Sequence, residues 1–172
     1  MRIVATGDTH VTKMEELPER LIKLMDEADL VIHAGDFVSN KLLDEMEKRY
    51  NLLAVYGNSD DEEVRRRLKQ IEKIRVDDVW IGVVHRGNYL NNFDDLGYKA
   101  KEIGVHLLIF GHVHRFVLEN FGDVIVLSPG SPTKPRQSVA SCAVVEVNGS
   151  RVDVRLEIVA NVYCGMDVEL KL

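Results

Sequence analysis

The sequence predicts an α/β fold, organised as an α+β sandwich in which two mixed β-sheets face each other and helices flank them. In the first half of the chain, apolar strand-like runs alternate with amphipathic helical segments, a pattern typical of parallel strands joined by right-handed crossovers. After residue 115 the helical patterns disappear and only strand-like runs follow. We therefore expect a partly parallel first sheet and a second sheet packed against it.

Three pairs of strand and helix open the chain. The apolar runs that suit buried strands are 2–6, 30–34 and 52–56. The segment 14–29 carries leucines at helical spacing, and Pro18 suits a first helical turn. Ser39-Asn40 can cap a second helix. Acids at 60–63 and arginines at 65–67 match the dipole of a third helix, and we expect these arginines to pair with those acids on a solvated face.

Hairpins and further strands follow. The runs 73–76 and 79–84 bracket a turn, and Asn148-Gly149 is the strongest short hairpin signal in the chain. A helix is expected from about Phe93 to Ile103. The other predicted strands are 105–110, 116–118, 124–127, 140–147 and 152–159. The segment 166–172 suits either a last strand or a tail.

Composition narrows the class of protein. The 172 residues, 45% hydrophobic and 29% charged, suit one globular domain over residues 1–172. No apolar run reaches the ~18–20 residues that cross a bilayer, and the first residues do not resemble a signal peptide. We therefore expect a cytoplasmic protein without membrane association. The net charge of −6 argues against a long nucleic acid as partner. Cys142 and Cys164 are expected to be free thiols.

Two histidines follow one of the buried strands. The sequence Gly111-His112-Val113-His114 comes directly after the run 105–110. Alternate side chains of a strand point to opposite faces, so both imidazoles can face one site only if the chain bends between them. Gly111 supplies a flexible joint there. Because neutral imidazole is the commonest side-chain metal ligand, the pair predicts a metal-binding loop.

Polar residues follow four other predicted strands. Asp8 and His10 come after the first strand, Asp36 after the second, Asn58 after the third and His85 after the second strand of the first hairpin. Ligand sites of open α/β sheets form at the carboxyl ends of the parallel strands. We therefore expect these residues to meet the histidine pair at one edge of a sheet.

The seven side chains are too many for one tetrahedral zinc ion and suit two divalent metal ions. The imidazoles favour transition metals, here Mn, Ni, Co, Fe or Zn, over Mg or Ca. Two cations ~3.5–4 Å apart need an anionic ligand between them, and Asp36 is the natural bridge because a carboxylate has two oxygens. A water between such ions is largely hydroxide at neutral pH, which suits in-line attack on phosphorus.

The same motifs resemble those of a known family. Gly7-Asp8-Thr9-His10, Gly35-Asp36, Gly57-Asn58-Ser59-Asp60, His85 and Gly111-His112-Val113-His114 are similar in kind and order to the motifs of the calcineurin-like metallophosphoesterases. The small size and the turn Ser128-Pro129-Gly130-Ser131 resemble the compact YfcE-type phosphodiesterases of bacteria and archaea. The resemblance implies the four-layer metallophosphoesterase fold and a metal-dependent hydrolase of small phosphodiesters.

The resemblance also implies a role for each residue. Asp8, His10 and His114 would hold the first metal ion, Asn58, His85 and His112 the second, and Asp36 would bridge the two. Asn58, Asp36 and His112 are expected to act in catalysis, with Asn58 also contacting the substrate phosphate. Asp60 would lie behind the ligands and orient one of them or a neighbour.

Two positions depart from the family's pattern. Many phosphomonoesterases of the family have a leaving-group-assisting His where Ser59 stands, and a serine is a poor general acid. We therefore expect weak turnover of monoesters with poor leaving groups and better activity on diesters. Compact members often have His-Gly-His where this chain has His85-Arg86-Gly87. Arg86 could bind phosphate or be solvated, and Arg115 could bind a phosphate oxygen or form a surface ion pair.

Two other functions stay open. The eukaryotic retromer subunit Vps29 resembles this fold but has a degraded metal site and acts as a protein scaffold, which predicts a large exposed apolar patch and no metal-dependent turnover. A metal-dependent nuclease fits the chemistry, although the acidic charge disfavours it. Compact relatives often form dimers or tetramers, so a homo-oligomer is also open.

Several other residues have structural interpretations. His33 and His106 lie inside apolar runs and are expected to be core or partly buried histidines rather than ligands, and Trp80 is expected in the core. Tyr89, Asn91 and Asn92 lie in the loop after His85 and could line a pocket.

Overall fold

The computed structural model describes residues 1–87 and 93–163. The strands are β1 (Arg2–Thr6), β2 (Leu30–His33), β3 (Leu52–Ala54), β4 (Ile71–Val76), β5 (Val79–Val84), β6 (Leu107–Phe110), β7 (Phe116–Asn120), β8 (Ile125–Pro129), β9 (Val139–Asn148) and β10 (Arg151–Tyr163). The helices are α1 (Glu19–Asp26), α2 (Asn40–Arg49), α3 (Glu62–Arg67) and α4 (Asp94–Ile103). Tyr89, Asn91, Asn92, Cys164 and the segment 166–172 lie outside the described residues.

Ten strands form two mixed sheets of five strands each. The first has the order β10-β9-β1-β2-β3, with β1, β2 and β3 parallel and β9 and β10 antiparallel. The second has the order β4-β5-β6-β8-β7, with β5, β6 and β8 parallel between two antiparallel edge strands. The predicted fold class is confirmed, and parallel strands occur in both sheets.

Apolar side chains fill three layers because the strands alternate their faces. Ile3 and Ala5 of β1 point between the sheets, where they pack with Ile81 of the second sheet, whereas Val4 points outward against α1 and α2. Leu96 of α4 covers the outer face of the second sheet in the same way. The order of layers is therefore helix, sheet, sheet, helix.

Local signals explain where the helices begin. The Ser39 hydroxyl accepts a hydrogen bond from the Lys41 N–H and caps α2, while the Asp61 carboxylate accepts from the Val64 N–H and caps α3. Pro18 is the N-cap of α1, one position before the helical turn expected for it.

No helix within residues 1–87 and 93–163 is long and apolar enough to cross a bilayer.

Three structural expectations are wrong. His106 is exposed, because β6 begins only at Leu107 and the strand alternation does not reach back to it. Trp80 is half-buried rather than in the core, with the Lys73 ammonium 5.0 Å from the centre of its ring. Arg67 reaches past the acids of its own helix and pairs with Asp44 and Glu47 on α2, so it joins two helices.

His33, at the end of β2, is completely buried, as expected. Its Nδ1 accepts a hydrogen bond from the Gly35 N–H at 3.2 Å, so Nε2 carries the proton and donates to the Thr9 hydroxyl at 3.1 Å. The Thr9 hydroxyl in turn donates to the Asp36 carbonyl at 3.3 Å. Burial lowers the pKa of His33 to about 3, so the ring is neutral.

His33→Ala should lower the free energy of unfolding by about 2–4 kcal/mol, because it leaves a cavity and two buried polar groups without partners. His106→Ala makes the same chemical change at an exposed histidine whose Nδ1 accepts a hydrogen bond from the Trp80 N–H at 2.9 Å. It should cost about 1 kcal/mol or less, because water can replace that bond. Urea unfolding of both variants measures the difference. Equal losses would contradict this account of His33.

Candidate metal centre

The loops after the parallel strands meet at one place because backbone hydrogen bonds join them. The Asp8 N–H donates to the Gly35 carbonyl at 2.9 Å, the His10 N–H to the Asp36 carbonyl at 3.1 Å, and the Gly111 N–H to the His85 carbonyl at 2.9 Å. Each bond ties two loops together. The predicted residues are therefore adjacent in the structure, but the expectation that they share the edge of one sheet is wrong. Those after β1, β2 and β3 come from the first sheet, whereas His85 and the histidine pair follow β5 and β6 of the second, so the site lies where the strand ends of two facing sheets meet.

Five of these residues have a left-handed backbone, which is uncommon for any residue but glycine. The φ angles are 51° for Asp8, 45° for His10, 60° for Asp36, 73° for His112 and 56° for His114. Such conformations cost of order 1–3 kcal/mol each and persist where the surroundings enforce them, commonly at functional sites. Here they turn successive side chains toward a common centre.

Two glycines are required by close approach at this centre. A Cβ added to Gly57 would lie 2.1 Å from Oδ1 of Asp36, and one added to Gly111 would lie 2.6 Å from the Ala34 carbonyl oxygen. Glycine is therefore needed at position 111 for close approach of two loops, and not as the flexible joint expected from the sequence. The left-handed bend occurs at His112 and His114, and Gly111 allows two loops to touch.

The first group of candidate ligands is Asp8, His10, Asp36 and His114, whose ligand atoms all lie within 4.8 Å of one another. Nε2 of His10 is 3.4 Å from Oδ2 of Asp36 and 3.2 Å from Nε2 of His114. Nε2 of His114 is 3.7 Å from Oδ1 of Asp8. Two carboxylates and two imidazoles thus converge on a space suited to one cation.

A second group lies on the other side of Asp36. Nε2 of His85 is 3.5 Å from Oδ1 of Asp36 and 3.1 Å from Oδ1 of Asn58. The ring of His112 meets the ring of His85 edge to face, with 5.2 Å between centroids. The two oxygens of the Asp36 carboxylate therefore face two different sets of side chains.

The hydrogen bonds of the histidines fix which nitrogen faces the centre. Nδ1 of His85 is 2.8 Å from the Ala34 carbonyl oxygen, and Nδ1 of His114 is 2.6 Å from the Lys134 carbonyl oxygen. A carbonyl only accepts, so each Nδ1 carries the proton and each neutral ring turns the lone pair of Nε2 inward. These lone pairs point at carboxylate and amide oxygens, which are acceptors as well. A cation between them fits this set of donor atoms.

Electrostatics support the same fit. Burial raises the pKa of the Asp8 carboxyl to about 8, although the backbone N–H of His112, which is shared between both carboxyl oxygens, partly opposes this. Burial lowers the pKa values of His10 and His112, and that of His114 to about 4. Neutral imidazoles are the form that binds metals, and the charge of a divalent cation would offset the effect of burial on the pKa of Asp8.

Two residues hold Asp36 in position. The Ser59 N–H donates to Oδ1 of Asp36 at 2.8 Å and the Ser59 hydroxyl to Oδ2 at 2.9 Å. Burial alone would raise the pKa of Asp36, but the nearby His85 imidazole and the hydrogen bonds from Ser59 outweigh it. The pKa of Asp36 is therefore lowered, and the carboxylate is ionised. The buried Asp60 carboxylate accepts from the N–H groups of Asp36 at 3.1 Å, Gly57 at 2.7 Å and Val38 at 2.7 Å.

The two arginines singled out from the sequence have different surroundings. Arg86 is exposed and lines a pocket beside His85. Arg115 is also exposed, and its guanidinium lies over the ring of Phe93, 5.8 Å from the centroid.

The carbonyls of Ala34 and Lys134, which bind the Nδ1 groups of His85 and His114, were not predicted from the sequence. Every residue has a backbone carbonyl, so residue type gives no signal for such a role.

A two-sheet fold whose strand ends bring carboxylates, imidazoles and an amide together is the arrangement that the metallophosphoesterase motifs predicted. The model of the calcineurin-like phosphoesterase superfamily domain matches residues 1–150. The chain therefore belongs to the calcineurin-like phosphoesterase superfamily, as the motifs indicated.

Relatives and solved structures agree with this assignment. A probable metallophosphoesterase of Methanothermobacter thermautotrophicus is 33% identical over 162 residues, which cover 91% of each chain. A phosphodiesterase of Methanocaldococcus jannaschii is 31% identical over 76% of this chain and 83% of its own length. The structure of wild-type Vps29 from Entamoeba histolytica, complexed with zinc, has a TM-score of 0.75 at 21% identity, covering 91% of this chain and 97% of that chain. The last similarity concerns the fold alone.

Asp60→Asn should lower the free energy of unfolding by about 2–3 kcal/mol. The wild-type carboxylate accepts hydrogen bonds from three backbone N–H groups, and in the variant an NH₂ group, which cannot accept, replaces one of its oxygens. Asp61→Asn is the matched control, and it should have little effect because Asn caps a helix about as well as Asp. Urea unfolding of the two variants tests this. If Asp60→Asn is as stable as Asp61→Asn, the carboxylate does not hold the loops.

Proposed function

We propose that this protein is a phosphodiesterase that uses two divalent transition-metal ions to hydrolyse small phosphodiesters. The observation that carries the proposal is the position of the Asp36 carboxylate, with Oδ2 3.4 Å from Nε2 of His10 and Oδ1 3.5 Å from Nε2 of His85. One carboxylate between two acceptor-rich groups suits a bridge between two cations.

Each group of side chains has a proposed role as a metal site. Asp8, His10 and His114 would hold one ion, Asn58, His85 and His112 the other, and Asp36 both. Mn, Ni, Co, Fe or Zn would suit the imidazoles. When bound, such ions act as Lewis acids toward phosphoryl oxygens and lower the pKa of water.

The residues of the chain itself would position the substrate. Asn58 is exposed and His112 is half-buried, so both can reach a phosphate at the mouth of the centre. The Asn58 amide donates to the Ser59 hydroxyl at 3.3 Å, and its Oδ1 lies 3.1 Å from Nε2 of His85, so one amide hydrogen is left for a ligand. An amide donor there can bond a non-bridging phosphate oxygen as charge develops on it.

Diesters are the proposed substrates because Ser59 supplies no general acid. Its hydroxyl is engaged with Asp36, and a serine hydroxyl does not readily protonate an alkoxide leaving group. The Methanocaldococcus relative is named a phosphodiesterase, which supports the same choice.

Asp36→Asn should reduce hydrolysis of bis(p-nitrophenyl) phosphate by at least about 10²–10³-fold, because one anionic oxygen between the two groups is lost. The assay uses metal-stripped protein to which Mn, Ni, Co, Zn or Mg is added back. Asp123→Asn is the control, since Asp123 is an exposed residue whose carboxylate pairs with Lys101 at 3.1 Å. Near-normal turnover by Asp36→Asn would overturn the mechanism.

Ser59→His should raise turnover of phenyl phosphate, which has a poor leaving group, by about ten-fold or more if a general acid is the missing component. Ser59→Ala separates this effect from loss of the bond to Asp36. Turnover of p-nitrophenyl phosphate, which needs little protonation, should change much less. If Ser59→His and Ser59→Ala behave alike on phenyl phosphate, the explanation of diester preference fails.

A protein scaffold is the second candidate function, and one observation favours it. The edge strand β10 exposes the apolar side chains of Leu156, Ile158 and Val162, a surface on which another protein could pack. Metal binding cannot separate the two functions, because the Vps29 of Entamoeba histolytica is itself complexed with zinc. Metal-dependent turnover can separate them. If the folded protein hydrolyses no phosphodiester with any of the metals, the scaffold function is favoured.

A further inference from the structure

A pocket of about 620 Å³ lies next to the second group of candidate ligands. Its lining includes Asn58 and His85 of that group, Arg65 of α3, Arg86 and Gly87 after β5, and residues of α4. Its volume is within the ~300–1,000 Å³ of ordinary small-molecule sites. A phosphodiester at the metal centre would therefore have room to extend one ester arm into it.

Three cationic side chains line this pocket, each from a different element. Arg65 belongs to α3, Arg86 follows β5 and Lys99 belongs to α4. Asp95 is the one carboxylate among the described lining residues, so the lining carries a net charge of 3 − 1 = +2. The whole chain carries −6. The pocket is thus a local concentration of positive charge on an acidic protein.

The two arginines are available to an anion. Within residues 1–87 and 93–163, no acidic side chain forms an ion pair with Arg65 or Arg86, whereas Lys99 pairs with Glu102 at 3.0 Å. The Arg65 guanidinium donates to the Asn58 carbonyl, which holds it beside a candidate ligand.

Apolar side chains form the rest of the wall. Val84 and Leu96 are buried and Tyr56 and Ile71 are half-buried. This combination suits an organic ester arm that ends in a charged group. A neutral arm would leave two arginines without an anion, and a bare inorganic ion would leave the apolar wall uncovered.

We propose that this pocket binds a second phosphate on one ester arm of the substrate, so that the natural substrate is a small phosphodiester with at least one further phosphate. The inference rests on the proposed function, because it places the scissile phosphate at the metal centre. Arginine is suited to the role, since its planar fork binds two phosphate oxygens at once. The second phosphate would bind between Arg65 and Arg86, with Lys99 at the far side.

The test compares two nucleotides that differ by one phosphate. Isothermal titration of Mn-loaded protein with thymidine 3′,5′-bisphosphate and with thymidine 5′-monophosphate measures both affinities without turnover. We expect the bisphosphate to bind at least about ten-fold more tightly, as charge-assisted bonds to two arginines imply. Equal affinities, or no binding of either nucleotide, would overturn the proposal.

The variants Arg65→Gln and Arg86→Gln should each remove most of this preference. Arg66→Gln is the matched control, because Arg66 is the next residue of α3, is exposed and does not line the pocket. It should keep the wild-type preference. A preference that persists in both pocket variants would also overturn the proposal.

Hydrolysis separates this proposal from the proposed function. The p-nitrophenyl esters of the same two nucleotides have the same leaving group, so kcat/KM reports the added phosphate alone. If both esters are hydrolysed equally and the two nucleotides bind equally, the pocket proposal fails and the phosphodiesterase stands. If neither ester is hydrolysed but the binding preference is kept and depends on both arginines, the pocket proposal stands and the proposed activity fails.

Discussion

The site depends on the Asp36 carboxylate, which lies between two groups of side chains and has one oxygen toward each. Three features of the chain hold it there. Its backbone is left-handed, its N–H is bound by the buried Asp60 carboxylate, and its oxygens accept from the N–H and hydroxyl of Ser59. A carboxylate fixed in this way needs little reorganisation to bridge two cations, which is the basis of preorganised electrostatic catalysis.

The same principle explains the rest of the metal centre. Carbonyls behind His85 and His114 take the Nδ1 protons and leave Nε2 lone pairs pointing inward, toward oxygens that also accept. Burial lowers the pKa values of His10, His112 and His114 and raises the pKa of Asp8 to about 8. A buried cluster with more acceptors than donors is unfavourable by itself and is compensated by positive charge. The two-sheet fold can maintain it because backbone bonds between neighbouring loops enforce the strained conformations.

Much of this could be predicted from the sequence, for physical reasons that differ between elements. Each parallel strand is an apolar run, and the polar residues that follow it mark where it ends, so the convergence of Asp8, Asp36 and Asn58 followed from topology. The left-handed backbone could not be predicted, since tertiary contacts impose it on residues that disfavour it. Arg65 was expected on a solvated helix face, because the residues that share its pocket, on α4 and after β5, are distant from it in sequence.

The most direct test of the central claim is the number and coupling of metal ions in the purified protein. Metal-stripped protein would be titrated with Mn²⁺, with calorimetry for the stoichiometry and electron paramagnetic resonance for the interaction between ions. The account predicts two ions per chain whose spins are coupled, as expected for ions that share the Asp36 carboxylate. A single ion per chain, or two ions without coupling, would contradict the bridging position of Asp36.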